Sequence, residues 1–508
     1  MNRAIIYFVK LPIIGYNKTR LQGFIPPEDI HHLAVYLLQE NYQVIQNFQA
    51  DVWLYVSPAE RKLDIQQLLE ISSDRIKGQL DHPHLGRRMS AAMKEVFAKG
   101  YQEVALMGCD LVGIDRDLLD EVFTCLQEKD LVLTPTEDGG YGIIASRYHE
   151  PAVFDLTAYS HEKVLEETLE KAAAVEMSYG LTRPIDDIDT RDDIAKYLTG
   201  DSSAHFFNQG EYNANFIFDQ DQKILRIALD SQMHLDDQIV YEYQALKGLE
   251  SSGVVPKVYE CQANTPLLGK GYLIEEYLPG RPLSYQTDLA LAADLLAKVH
   301  NVNPDNAPHL IVADQPLQVM YQEFQEMFSH YLIWPQKDPV IAEKISKMLR
   351  DLDQYDRDQP LQEACIINTE LNSHNFLINP GQDSYIIDWE KPLIGEKEQD
   401  LAHFLAPTTT LWKTNDLLDK SRVEAFVEAY NQHSHLPVDW DKLITYLHFT
   451  CLRGITWCSM AYVQYLQASK IKAADQGSFA VIERFISLPF LEMIEAYIDS
   501  LGDLSDDH

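Results

Sequence analysis

Glu370 stands five residues before Asn375, and Asp388 lies thirteen beyond that, within the stretch IINTELNSHNFLINPGQDSYIIDWEKP from Ile366 to Pro392. Phosphoryl transfer needs metal ions that bridge the nucleotide phosphates, a cation on those phosphates, and a carboxylate that orients or deprotonates the attacking hydroxyl. An acid, an amide and a second acid at these intervals offer a base, Glu370, and two magnesium ligands, Asn375 and Asp388. The apolar run Tyr385-Ile386-Ile387 reads as a buried strand that delivers Asp388. The C-terminal part is thus a candidate small-molecule kinase.

A second group of chemistry-bearing residues lies near the N-terminus. Lys10-Leu11-Pro12-Ile13-Ile14-Gly15-Tyr16-Asn17-Lys18-Thr19-Arg20-Leu21 directly follows the first apolar run. If that run is a parallel strand, a glycine turn and the cations Lys10, Lys18 and Arg20 fall where α/β proteins bind phosphates. Asp110, after the run Val104–Met107, is placed to hold a divalent cation as a hard carboxylate at a strand end. Asp138-Gly139-Gly140-Tyr141 gives a tight backbone approach, and Asp187-Ile188-Asp189-Thr190 offers a second carboxylate.

The elements that must position these residues fall into two blocks. Residues 1 to about 200 alternate short apolar runs with amphipathic stretches, the pattern of parallel strands joined by crossover helices. Ala4–Val9, Val52–Val56, Val104–Met107 and Leu131–Leu133 are the expected strands, and Glu28–Glu40, Arg87–Lys99 and Arg116–Gln127 the expected helices. The polar stretch Thr199-Gly200-Asp201-Ser202-Ser203 marks a boundary. Beyond it, Asn215–Asp219, Ile224–Leu229 and Tyr272–Tyr277 read as strands around a helix at Gln238–Leu249. From Leu289 the pattern is mostly helical, broken by a hairpin at Ile366–Pro392. The expected organisation is an α/β domain over 1–200 and an α+β domain over 201–508, with a small β-rich lobe at about 201–280 and a helical lobe at about 281–508.

A chain of 508 residues exceeds what one hydrophobic core usually organises. Its 42 Lys and Arg against 78 Asp and Glu give a formal charge of -36, which repels phosphate backbones and anionic lipid head groups. A nucleic-acid or membrane-surface role is therefore not expected. Six cysteines without a Cys-x-x-Cys pair suggest neither a zinc site nor a disulfide framework. No stretch reads as a membrane span, and Ala4 to Val9 is too short for a signal-peptide core. A reducing cytoplasm is the expected location.

From about Phe206 onward the chain resembles the aminoglycoside and choline phosphotransferase family, whose catalytic loop has the form His-x-Asp-x-x-x-x-Asn followed by a strand ending in a metal-binding Asp. The resemblance implies a protein-kinase-like fold that uses ATP and Mg2+. It places Glu370 as base, Asn375 and Asp388 as metal ligands, and Asp400 as the acid that steadies the catalytic loop. Arg226 takes the place of the strand lysine on the phosphates, and Glu242 is its helix partner. Gln209-Gly210-Glu211-Tyr212-Asn213 is implied to be the turn over the phosphates, with Gly210 and Asn213 contacting nucleotide. Ile274-Glu275-Glu276-Tyr277 is implied to be the adenine hinge, with Glu276 in it. Trp389, Trp412, Arg453 and Trp457 are the substrate-side candidates. The departures are Asn368 for the family's His, Glu370 for its Asp and Arg226 for its Lys.

The first block resembles a family of bacterial GT-A-fold transferases, related in form to the phospholactate guanylyltransferases and often described as glycosyltransferases. The likeness rests on the Lys-x-Pro-x-x-Gly-x-x-Lys-Thr-Arg-Leu start, Leu85-Gly86-Arg87-Arg88-Met89, Gly108-Cys109-Asp110, Asp138-Gly139-Gly140-Tyr141 and Asp187-Ile188-Asp189-Thr190. It implies Asp110 and Asp189 as ligands of Mg2+ or Mn2+ and Lys18 and Arg20 as phosphate contacts. Gly139 and Gly140 are implied to wall the acceptor. Val112 stands where the family usually has proline. A kinase fused to a nucleotidyltransferase would make an activated nucleotide-diphospho compound from a small-molecule hydroxyl, ATP and a second nucleoside triphosphate. Two alternatives remain open: glycosyl transfer from a nucleotide-sugar by the first block, and a nucleotide-sensing, non-catalytic second block.

Overall fold

The computed structural model describes residues 2–210, 212–231, 233–467 and 476–502. By compactness the chain divides into one unit of Met1–Gly210, Ala214–Gln220 and Asn264–Tyr272, and a second of Glu211–Asn213, Asp221–Ala263 and Leu273–His508.

The first unit contains, in order, β1 (Arg3–Lys10), α1 (Pro27–Gln46), β2 (Asp51–Ser57), β3 (Ile76–Gly78), α2 (Leu85–Phe97), β4 (Glu103–Gly108), β5 (Leu111–Val112), α3 (Arg116–Cys125), β6 (Leu131–Pro135), β7 (Tyr141–Ser146), α4 (Val164–Ala174), β8 (Tyr179–Leu181), β9 (Asp186–Asp187) and α5 (Arg191–Thr199). A seven-stranded sheet has the order β3-β2-β1-β4-β7-β6-β8. The continuous apolar run in β1 follows from burial on both faces. Ile5, Tyr7 and Val9 pack with Leu38, Tyr42 and Ile45 of α1 and Leu118, Val122 and Phe123 of α3. Ala4, Ile6 and Phe8 pack with Met89, Met93 and Val96 of α2 on the other side.

β1 pairs in parallel with β2 on one side and β4 on the other. The chain thus winds outward from β1 in both directions, and the crevice at this switch point opens beyond the carboxyl ends of β1 and β4. The loops holding Lys18 and Asp110 begin there. One strand departs from the parallel expectation: β7 runs antiparallel to both β4 and β6. Only residues 136–140 separate β6 from β7, too few for the crossover that a parallel pair requires. Gly139 turns this link at φ 84°, and a Cβ there would lie 1.9 Å from the Glu162 carbonyl oxygen. A separate two-residue ladder joins β5 to β9, pairing Leu111 with Asp187 and Val112 with Asp186.

After α5 come β10 (His205–Gln209), β11 (Asn213–Phe218), β12 (Lys223–Ala228), α6 (Gln238–Leu249), β13 (Val258–Gln262) and β14 (Tyr272–Glu276), forming a five-stranded sheet in the order β10-β11-β12-β14-β13. Then follow α7 (Leu289–His300), α8 (Pro316–Ile333), α9 (Pro339–Asp351), β15 (Ala364–Ile367), β16 (Phe376–Leu377), β17 (Tyr385–Ile386), β18 (Leu393–Glu396), α10 (Lys397–Leu405), α11 (Pro407–Lys413), α12 (Lys420–Asn431), α13 (Trp440–Gln467), α14 (Gln476–Phe485) and α15 (Leu488–Gly502). This is the protein-kinase-like arrangement of a sheet lobe and a helical lobe. The 28-residue α13 runs through the helical core and packs against α8 and α10. In place of one hairpin at 366–392, two nested ladders form, β15 with β18 and β16 with β17. The inner pair brings Asn375 to Asp388, and the outer pair fixes the base of the loop.

Because a methyl group at 139 meets backbone rather than a movable side chain, Gly139→Ala should destabilise the first unit by about 1–3 kcal/mol in denaturant titration. An unchanged unfolding midpoint would show that the 136–140 turn can relax.

Candidate functional sites

In the first unit the chain leaves β1 at Lys10 and is braced by Asn17, whose Nδ2 donates to the Lys10 carbonyl at 3.2 Å and whose Oδ1 accepts from the Ile13 amide at 3.3 Å. This turn presents Lys18, whose side chain is only 6% exposed. Its Nζ lies 3.2 Å from Asp110 Oδ2 and 3.1 Å from Asp189 Oδ1, and Arg20 Nη1 lies 3.5 Å from Asp189 Oδ2. Asp187, carried in by the β5–β9 ladder, completes the group, and oxygens of Asp110, Asp187 and Asp189 lie within 4.8 Å of one another. The spacing Asp-Ile-Asp was a usable signal for this third carboxylate, since residues two apart in extended chain share a side.

Burial, then repulsion from Asp189 and Asp110, pushes the Asp187 carboxyl up to about 7. Burial also works to raise Asp110, but the adjacent Lys18 ammonium prevails and holds it below the usual range. Three close carboxylates are a hard oxygen set suited to Mg2+ or Mn2+, and Lys18 is the internal cation that such an ion would face. A cavity of about 250 Å³ lies on the Lys10, Asn17, Lys18 and Arg20 side. Another of about 710 Å³ is lined by Asp138, Arg183, Asp187 and Tyr197, and Arg20 and Asp189 line both. Gly139 and Gly140 line neither. Gly139 packs against the backbone at Glu162, and the Gly140 amide donates to Asp138 Oδ1 at 3.0 Å.

In the second unit the loop after β15 is held from below by Asp400, which has no solvent exposure. Its carboxylate accepts the amides of Asn368 at 2.8 Å and Thr369 at 2.7 Å, and His300 Nε2 lies 3.3 Å away. Thr369 and Asp388 both take left-handed backbone, with φ 73° and 69°. Asn375 Nδ2 donates to Asp388 Oδ2 at 3.0 Å, and Asn368 Nδ2 donates to the Asp388 carbonyl at 2.8 Å. Asp388 keeps a half-exposed carboxylate. These two residues fit a hard divalent cation, with Asp388 as the charged ligand and Asn375 as the neutral one. Glu370 lies at the mouth of this loop, 3.3 Å from Arg453 and 3.9 Å from Lys391.

Arg226, almost fully buried, is ringed by acids. Its Nη2 donates to Glu390 at 2.5 Å and lies 3.6 Å from Asp388, while Nε is 3.4 Å from Glu242. That Nε is buried and makes no hydrogen bond among the described residues. Burial opposes the arginine's charge, but Glu242, Glu275, Glu390 and Asp388 more than offset it and raise its pKa. Burial pushes Glu242 up to about 8, against the pull of Arg226. Burial raises Glu275 and Glu390 likewise. One guanidinium among four carboxylates leaves an excess of negative charge that magnesium would balance.

The other sequence-predicted residues of this unit take the following places, and Trp389 departs from its expected one. Glu276 closes β14, and its amide donates to the Lys257 carbonyl at 2.9 Å while the Tyr277 amide donates to Gln222 at 2.9 Å. These two donors are engaged between strands, and Glu276 is the last residue of β14. Asn213 is buried and donates to Glu390 Oε1 at 2.6 Å, which ties it to the floor of the cleft. Gly210 sits in the turn between β10 and β11, and Glu211 lies outside the described residues. Trp389 is buried with its indole donating to the Ile386 carbonyl at 3.2 Å, a core role. Sequence reading missed Glu390, Glu323 and His403, and it named Glu275 without its place beside Arg226, since only tertiary packing brings these together. A cavity of about 360 Å³ is lined by Glu370, His403, Trp412, Lys413, Arg453 and Trp457, among others.

The two folds define the class: an α/β domain with a carboxylate cluster at its switch point, followed by a kinase-like phosphotransferase fold. Comparison with known families agrees. Residues 38–161 match the family DUF2064, described as an uncharacterized protein conserved in bacteria, and residues 203–445 match the phosphotransferase enzyme family. The chain thus carries a DUF2064 domain fused to a phosphotransferase-family domain. Among solved structures, it is similar to a protein of Desulfovibrio desulfuricans G20 described as a nucleotide-diphospho-sugar transferase, at 28% identity over 40% of this chain and 89% of that one, with TM-score 0.37. It is also similar to a protein of Ralstonia eutropha JMP134 described as an aminoglycoside phosphotransferase, at 15% identity over 58% and 92% with TM-score 0.45. A choline/ethanolamine kinase family protein of Mesorhizobium loti matches at 18% over 61% and 98%, with TM-score 0.41. No curated protein matches the chain. Among the described residues, no helix is long and apolar enough to cross a membrane.

Glu242 titrates at the ordinary 4.5 when unfolded and at about 8 when folded. Between those values the native state keeps a proton that the unfolded chain has released, so this contribution to stability is complete below the lower value and lost as pH rises through the upper one. The melting temperature of nucleotide-free protein should therefore fall from about pH 5 to about pH 8, and Glu242→Gln should flatten that slope. A melting temperature that climbs across this window would contradict the assignment.

Proposed function

We propose that the second domain, residues 201–508 with lobes at about 201–280 and 281–508, transfers the γ-phosphoryl group of ATP to a hydroxyl on a sugar, polyol or amino alcohol. We further propose that the first domain, residues 1–200, performs metal-dependent nucleotidyl transfer to the phosphorylated product. The observation that carries the first part is the loop held by Asp400, which sets Asn375 against Asp388 and leaves Glu370 facing a cavity. The acceptor oxygen bonds the γ-phosphorus, the bond to the β,γ-bridging oxygen breaks, ADP leaves, and the hydroxyl proton passes to Glu370. Asp388 and Asn375 would hold Mg2+, which when bound neutralises charge on the phosphates. Arg226 supplies the cation toward the phosphates, and Glu242 and Glu390 keep its guanidinium in place. Arg453 holds the Glu370 carboxylate toward the cavity.

In the first domain, support comes from the Asp110, Asp187 and Asp189 cluster lying between two cavities that share Arg20 and Asp189. The cationic side suits nucleotide phosphates, and the larger side suits the second substrate. Asp110, Asp187 and Asp189 would hold the divalent cation, with Lys18 and Arg20 as the fixed positive charges. Release of pyrophosphate marks nucleotidyl transfer, whereas release of a nucleoside diphosphate or monophosphate would assign glycosyl transfer instead.

Glu370→Gln should lower kinase turnover by about 10²–10⁴-fold while ATP binding persists. Unchanged turnover would remove Glu370 from the chemistry, and ATP binding without ADP release from the unaltered protein would assign a sensing role. Asp110→Ala should abolish first-domain activity and leave kinase activity intact, read by pyrophosphate and ADP release in parallel assays. Loss of both would refute independent sites.

A further inference from the structure

The cavity beside Glu370 has a charge pattern that restricts its acceptor. Among the described residues of the lining, Glu370 is the single carboxylate, against two cations, Lys413 and Arg453. The chain as a whole carries -36, so a lining with more positive than negative groups runs against its surface. Arg453 is balanced from behind by Glu323 at 3.3 Å as well as by Glu370. Lys413, at the exposed end of α11, has no ion-pair partner among the described residues. His403 adds no charge at neutral pH, because burial and then Arg453 lower its pKa to about 4. Lys391 approaches Glu370 to 3.9 Å, adding a further positive group near the base. Trp412 and Trp457 meet edge to face at 5.6 Å, and Trp457 is 42% exposed. An exposed indole on a cavity wall offers an apolar surface to a ring. A volume of about 360 Å³ suits a monosaccharide-sized molecule.

We infer that the phosphoryl acceptor is a hydroxyl compound that also bears an anion, a carboxylate or phosphate seated on Lys413 and Arg453, with its ring against Trp412 and Trp457. This rests on the kinase reading above and narrows it, since a cationic amino compound would meet Lys413 and Arg453 with like charge. In the transfer the hydroxyl oxygen gains the γ-phosphoryl group, ADP leaves and Glu370 takes the proton, while the anion stays unchanged.

The test uses the full chain with Mg2+ and compares four probes on one hexose skeleton: the hexuronic acid, the hexose 6-phosphate, the neutral hexose and the 2-amino-2-deoxyhexose. Binding is read by tryptophan fluorescence and turnover by ADP release. At least one anionic probe should bind about tenfold or more tightly than the neutral hexose, the amino sugar should bind more weakly than the neutral one, and added salt should shrink the difference. The uronic acid and phosphate arms tell which anion is preferred. Lys413→Glu should erase the anion preference, and Lys413→Gln should weaken it with the melting temperature retained. If neutral or amino probes bind as well as both anions, if neither anion binds, or if Lys413→Glu leaves the ranking as it was, the inference is overturned. ADP release with neutral or amino acceptors alone would keep the kinase reading while removing this one. Failure of ATP to bind would remove the kinase reading itself.

Discussion

Each candidate site is organised around one buried cation held among more carboxylates than it can neutralise. Lys18 faces Asp110 and Asp189 with Asp187 beside them, and Arg226 faces Glu242, Glu275, Asp388 and Glu390. Burying charge is costly unless it is paired, and a surplus of one sign persists only if something else offsets it. Burial, and after it the like charge of neighbouring carboxylates, pushes Asp187 and Glu242 upward, so protons meet part of the surplus. A divalent cation would meet it more fully. The scaffold around each cluster can be understood as what keeps these like charges from separating.

In the second unit that scaffold is Asp400. Two backbone amides and His300 converge on a carboxylate with no exposure, so the turn through Asn368 and Thr369 is held although Thr369 adopts left-handed backbone. The strain of such a residue is tolerated where surrounding bonds over-determine it. Asn368 donates to the Asp388 carbonyl, so the loop and the segment carrying Asp388 are linked through an amide. Glu370, one methylene longer than aspartate, reaches Arg453 on α13.

Local signals made much of the fold legible. The unbroken apolar run of β1, the paired prolines before α1 and the helical spacing of Gln238–Leu249 all carry their cause within a few residues. Strand β7 was not read because its direction depends on the short turn at 136–140. Strands β3 and β8 are three residues each, too short to show a period. At the sites, motif spacing brought forward Asp110 with Asp189 and Asn375 with Asp388, pairs that the fold places in contact. It could not bring forward Glu390 beside Arg226 or Arg453 beside Glu370, since those contacts cross 164 and 83 positions of chain. At Gly139 the close backbone approach that the sequence suggested is to Glu162, and sequence alone does not tell whether such a neighbour is a ligand or another part of the protein.

The ladder between β5 and β9 is only two residues long, yet it is what sets Asp187 and Asp189 beside Asp110 across nearly eighty positions of sequence. The sheet core of the first unit needs none of these carboxylates. A chain cut short ahead of β9 would keep the central strands and their covering helices but lose two thirds of its acidic cluster. The acidic cluster is thus assembled only after the central strands have emerged, settled by a closing clasp and not by the core it fastens onto.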